Sequence, residues 1–124
     1  MNGLISIVCV ASGGALGALA RFALAQKFDR EWLPAGTWLA NMSASFLLGV
    51  IIVFSNAQSI DTYADLFAEV GFCATLSTFS SIAWQIMEML RAKSFARALL
   101  YALITLLCGM AAFYAGESIA ASLR

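Results

Sequence analysis

A chain of 124 residues that is 62% apolar and 11% charged cannot cover a globular surface with polar groups; soluble domains run at roughly 45–50% apolar and about 25% charged. Zero net charge, no histidine and one proline exclude a nucleic-acid binder, a disordered chain and any histidine-based metal site or catalytic triad. What remains is a small integral membrane protein, all-α, with a single four-helix domain over residues 1–124.

A bilayer core of about 30 Å asks for about 20 mainly apolar residues per helix. Four stretches meet this, at about 4–24, 37–55, 67–90 and 98–115, and their short connections predict antiparallel neighbours. The first span is preceded only by Met1-Asn2, without a basic side chain, and its first basic residue, Arg21, comes at the far end. It therefore reads as a retained helix and not as a cleaved signal. Gly13 and Gly17 form a GxxxG pair on one face, which suits close packing of helix backbones in lipid. Arg21 reads as an interfacial anchor whose stem lies along the apolar region. Pro34 falls in the loop before the second span, where its missing N–H costs nothing.

The second span carries Asn41 near its start, then Ser43, Ser45 and Gly49. An intramembrane amide either bonds another helix or faces a water-filled path, and both readings stand for Asn41. The third span places Thr75, Ser77, Thr78, Ser80 and Ser81, five hydroxyl residues within seven positions, at mid-membrane. Hydroxyls there can bond back to their own helix and loosen it. A break at this depth is tolerated only where buried in protein or lining a cavity. It would free carbonyls for a cation and amides for an anion. Thr105 is the hydroxyl of the fourth span. Glu69 and Glu88 fall near the ends of the third span and Glu117 follows the fourth, so no acid is expected near a span's middle. Cys9, Cys73 and Cys108, an odd number in apolar surroundings, read as inert thiols. With no paired carboxylates, no basic catalytic lysine and no phosphate loop, an enzyme is not expected.

Taken together, GGALGALARF at 13–22, GTWLANMSASFLLG at 36–49 and GFCATLSTFSS at 71–81 resemble the Fluc (CrcB) family of small fluoride channels, over essentially the whole chain. The third segment is similar to the family's helix break, usually GFCGGxTTFSTF. The resemblance implies an antiparallel dimer in the bacterial inner (plasma) membrane, with a third helix broken at its middle in each subunit. It implies two narrow pores conducting fluoride passively out of the cytoplasm. It further implies a structural Na⁺ at the dimer centre, held by backbone carbonyls that match Ala74 and Ser77. Asn41 matches the pore-lining amide, Phe79 the first ring of the family's phenylalanine pair, and Thr78 and Ser80 flank that ring. Departures are Ala74 and Thr75 for the paired glycines, Ile82 for the second phenylalanine, Gln85 for an acid, Ala44 for a glycine, and Gly109 and Phe113 for hydroxyls.

Fluoride is small and strongly hydrated, so a dry path must replace many hydrogen bonds. Asn41 can donate two N–H bonds, hydroxyls one each, and the positive edge of the Phe79 ring can favour an anion without trapping it. Two other classes compete. A four-helix proton-coupled exporter has a similar length but needs an intramembrane acid, which the first span lacks. A non-conducting subunit would only pack against a partner chain. Charge distribution bears on assembly: Arg21, Lys27, Arg30, Arg91, Lys93 and Arg97 lie at or beyond the ends of spans one and three, against Arg124 alone on the other side. The positive-inside rule then faces both termini outward. A chain inserting both ways would carry nearly balanced counts, so the expected partner in an antiparallel dimer is a homologous chain of opposite bias, with the homodimer as the alternative.

Overall fold

The computed structural model describes residues 2–124. The chain is an all-α, multi-pass membrane protein whose four helical segments are each long and apolar enough to cross a bilayer. α1 (Gly3–Phe28) ends in a two-residue antiparallel pair, β1 (Asp29–Arg30) with β2 (Leu33–Pro34), which turns the chain into α2 (Ala35–Asn56). The third segment starts as α3 (Thr62–Asp65), widens into a π-helical stretch over Leu66–Cys73, and closes as α4 (Ala74–Leu76). α5 (Phe79–Arg91) and α6 (Phe95–Ser122) complete the chain.

The helices outrun the apolar windows. α1 continues past residue 24 to Phe28, and α6 extends from Phe95 to Ser122, beyond 98–115 at both ends. Hydropathy measures the hydrocarbon slab, whereas helices end where capping groups stop them. Asn2 accepts the Leu4 N–H at 3.3 Å, and Asp61 accepts the Tyr63 N–H at 3.0 Å. The Asp61 cap moves the start of the third segment from the expected residue 67 back to Thr62, so Glu69 lies two turns inside it.

Small residues set the packing. The buried positions of α1 are Gly13 and Gly17, and they face the third segment. A Cβ at Gly13 would strike the Phe67 carbonyl, and one at Gly17 the Thr75 hydroxyl and the Phe72 carbonyl. On the other side, Gly49 of α2 lies against the Phe113 carbonyl of α6, and Gly116 of α6 against the Phe46 carbonyl. Close backbone approach maximises van der Waals contact where lipid removes the hydrophobic drive between helices. The centre is correspondingly small-chained, with Ala40 and Ala44 packed on Leu76, while Leu16, Leu19, Phe22, Leu103 and Leu106 are turned outward.

Lys27, Arg30, Arg91, Lys93 and Arg97 lie at one end of the bundle, with Arg21 two turns inside α1 from that end, and an Arg97 Nη2 bond to the Trp32 carbonyl ties the two basic loops together. At the other end the Asn2 N–H donates to the Tyr63 hydroxyl at 2.9 Å.

Gly17→Leu should therefore lower the thermal unfolding midpoint in detergent by the equivalent of about 2 kcal/mol or more, the cost of overpacking a closed contact. Gly14→Ala, whose Cβ would meet only Thr75 Cγ2 at 3.5 Å, should leave the midpoint unchanged or raise it. Equal midpoints for the two variants would refute the packing assignment.

Candidate functional site

The backbone leaves helical geometry between α4 and α5. Ser77 has φ −77°, ψ 153°, and Thr78 has φ −153°, ψ 120°, both extended. Ala74, where the sequence substitutes a residue with a Cβ for glycine, sits at φ −64°, ψ −31°, in the right-handed region, so its methyl costs no strain. The Thr78 N–H, which in a continuous helix would serve the Ala74 carbonyl, donates instead to Asn41 Oδ1 of α2 at 2.7 Å. Asn41 Nδ2 in turn donates to the Thr37 carbonyl at 2.9 Å. Thr37 is held by Asp29, which accepts its N–H at 2.9 Å and its hydroxyl at 2.7 Å. A relay of buried polar groups thus runs from the hairpin to the interruption.

The hydroxyls divide their work. Thr75 Oγ1 lies 2.9 Å from its own helix's Gly71 carbonyl and 3.0 Å from the Gly14 carbonyl of α1, so it fastens the stretch to its neighbour. Thr78 Oγ1 caps α5 by accepting the Ser81 N–H at 3.2 Å and lies 3.2 Å from the Ser80 hydroxyl. Ser77 Oγ reaches back to the Ala74 carbonyl at 3.5 Å, a weak contact.

Asn41, Phe79 and Thr105 come together. They line one groove of about 510 Å³ between α2, α5 and α6, along with Ile82, Gly109 and Phe113. Phe79 is 83% exposed and Asn41 only 7%, so the ring stands free beside a fixed amide. Thr105 Oγ1 is buried in the groove wall without a hydrogen-bond partner. A methyl at Gly109 would meet Met42 Cε at 3.6 Å and Ser45 Oγ at 3.7 Å, so the groove has room there for a larger side chain.

Other expected site residues lie elsewhere. Ser80 faces a separate recess with Thr37, Ser81, Trp84 and Gln85. Ala74 and Ser77 open onto a third cavity that shares Ser45 with the groove. Gly13 and Gly17 serve the packing of α1, and Arg21 is half-buried on the same helix. Asn41 was expected to offer two N–H donors to a ligand; the structure commits one of them, and the oxygen, to Thr37 and Thr78. One N–H remains for the groove. Sequence reasoning overlooked Asp29 and Thr37, although Thr37 stands four residues before Asn41 and so on the same helical face. It also overlooked Tyr101, whose hydroxyl donates to Gln85 Oε1 at 2.6 Å and joins α6 to α5.

A model of the family described as CrcB-like protein, Camphor Resistance (CrcB), matches residues 8–117. The chain belongs to the CrcB family. Three curated relatives carry the name fluoride-specific ion channel FluC. The one from Ignicoccus hospitalis is 36% identical over 116 residues, covering 93% of this chain and 94% of its own. That from Gloeobacter violaceus is 38% identical over 114 residues, covering 88% and 90%, and that from Thermococcus onnurineus 43% over 100 residues, covering 77% and 78%. The family read from the three sequence segments is thus borne out, and a CrcB protein is not an enzyme. Within it, the Asn41–Thr78 bond and the groove beside Phe79 are features of this chain's own geometry.

Proposed function

We propose that this CrcB protein is a subunit of a fluoride-selective channel that lets cytoplasmic fluoride leave passively across the plasma membrane. The observation that carries the reading is the groove that brings one free Asn41 N–H, the unpartnered Thr105 hydroxyl and the exposed Phe79 ring to the same path. The names of its relatives support the choice of ion. A dehydrating anion needs donors fixed in advance but few enough to release it. The Asn41 amide is pre-set by its two other bonds, and the positive edge of an aromatic ring adds a weak, escapable attraction. Thr78 acts through Asn41 and Ser80 through the Thr78 hydroxyl, so both position the path.

The reading extends to a Na⁺ at the centre of an antiparallel dimer. The extended residues direct the Thr78 N–H away from the Ala74 carbonyl, so the main-chain oxygens of Ala74 and Ser77 suit a hard cation. Bound there, Na⁺ would supply a fixed positive charge between the two anion paths. The partner we infer is a homologous chain of opposite charge bias, because six of the seven basic residues lie at or toward one end. Such a partner would supply the groups that Ile82, Gly109 and Phe113 do not.

Liposomes loaded with fluoride should empty rapidly through the reconstituted protein, alone or with its partner, and should retain chloride. Phe79→Ile should slow efflux at least about tenfold, the loss of one favourable anion contact of about 1.4 kcal/mol, while the protein remains folded. Equal chloride and fluoride efflux would rule out the channel reading. Single cysteines at Asn2 and Ser94 test the partner: in a population expressed alone, each should label from one side of the membrane only. Labelling of both positions from both sides would establish dual insertion and a homodimer.

A further inference from the structure

Among the described residues no positive side chain pairs with the carboxylate of Glu69. It lies in the π-helical stretch, seven residues and about 10 Å along the axis past the start of the third segment, and is half-buried. The ion pair found among the described residues, Arg91–Glu88, belongs to the opposite end of the bundle, and the basic residue at Glu69's own end is Arg124. A half-buried carboxylate without an ion-pair partner is left to water or to a bound cation.

Its surroundings favour a cation. Glu69 lines a cavity of about 360 Å³ with Ser45, Leu48, Cys73, Ala74 and Ser77. The cavity thus gathers a carboxylate and two hydroxyl residues at the place where α4 ends. Asp65, Glu69, Cys73 and Ser77 follow one another at intervals of four, and through a stretch of wide helical turns these positions keep to one side. Asp65 heads this line. Its Oδ2 accepts the Ser55 hydroxyl at 3.0 Å, and its Oδ1 is buried without a partner. Asp61, Asp65, Glu69 and Glu117 make this end of the bundle acidic, in contrast to the basic loops at the other. An anion would be repelled along such a line and a cation drawn in.

We propose that Glu69 forms an antechamber for a monovalent cation, Na⁺ by its preference for hard oxygen ligands. The partly hydrated ion is held there before it passes inward to the main-chain oxygens of Ala74 and Ser77. The proposal rests on the central cation of the preceding reading and adds a loading site and a route from the acidic end. Ser45 stands between this cavity and the anion groove, so cation and anion would travel on opposite sides of the same small side chain.

The test follows the thermal unfolding midpoint of the purified protein in detergent as NaCl replaces N-methylglucamine chloride at constant ionic strength. The midpoint of the parent should stay flat at low Na⁺ and then rise with the logarithm of the Na⁺ concentration once that exceeds the dissociation constant. Glu69→Gln should move the onset of that rise to about tenfold higher Na⁺, the worth of one charge-assisted ligand. Glu69→Leu, which suits a lipid environment and guards against misfolding of the first variant, should shift it in the same direction. An onset unchanged in both variants, or a parent midpoint indifferent to Na⁺, would overturn the antechamber. Fluoride efflux from liposomes of the parent separates this from the channel reading. A conducting protein without a Na⁺-dependent midpoint loses the antechamber and keeps the channel. A protein whose midpoint follows Na⁺ through Glu69 but which does not conduct keeps the cation route and loses the channel.

Discussion

A backbone N–H stranded in hydrocarbon costs several kcal/mol, and every departure from helix inside a membrane must find it a partner. Ser77 and Thr78 make such a departure, and the amide of Asn41 answers it by accepting the Thr78 N–H. The amide is itself aimed by its bond to the Thr37 carbonyl, and Thr37 is fixed by both oxygens of Asp29. The interruption in the third segment is therefore set from outside it, by a side chain on α2 and a carboxylate in the hairpin.

Two consequences follow from that geometry. The Ala74 carbonyl loses the Thr78 N–H as its helical donor, and Ala74 and Ser77 line one cavity, while Phe79, the first residue of α5, stands exposed at another. Ser45 is common to both cavities, so what binds in one is a single side chain away from the other. Such proximity depends on thin walls. Glycines at 13, 17, 49 and 116 bring backbone against backbone, and Ala40, Ala44 and Leu76 fill the centre without a fully buried large side chain. A bulkier core would part the helices and carry Asn41 out of reach of Thr78.

Hydropathy alone made the four spans legible, because the bilayer dictates their length, and the GxxxG pair announced the packing face of α1. The family was legible from three short segments whose order and spacing survive several substitutions. Asn41 stood out as an intramembrane amide, yet its occupation by Thr37 and Thr78 was hidden, since a bond between residues 37 positions apart leaves no periodic signature. Glu69 looked terminal because an apolar window begins at Phe67; the Asp61 cap that starts the helix earlier was a readable signal and places the acid inside. Ser80 shows the limit of proximity in sequence, for it adjoins Phe79 yet faces a different recess, as consecutive helical positions must.

The dependence of the interruption on Asn41 is open to direct measurement by amide hydrogen exchange on protein labelled with ¹⁵N at threonine. In the parent, the Thr78 amide should be protected, as should Thr105 in the middle of α6. In Asn41→Leu, which removes the acceptor without adding charge, the Thr78 amide should exchange at least about tenfold faster, equivalent to losing about 1.4 kcal/mol of a buried hydrogen bond, with Thr105 unchanged. A Thr78 amide equally protected in both proteins would contradict the arrangement on which the groove and the cation cavity both rest.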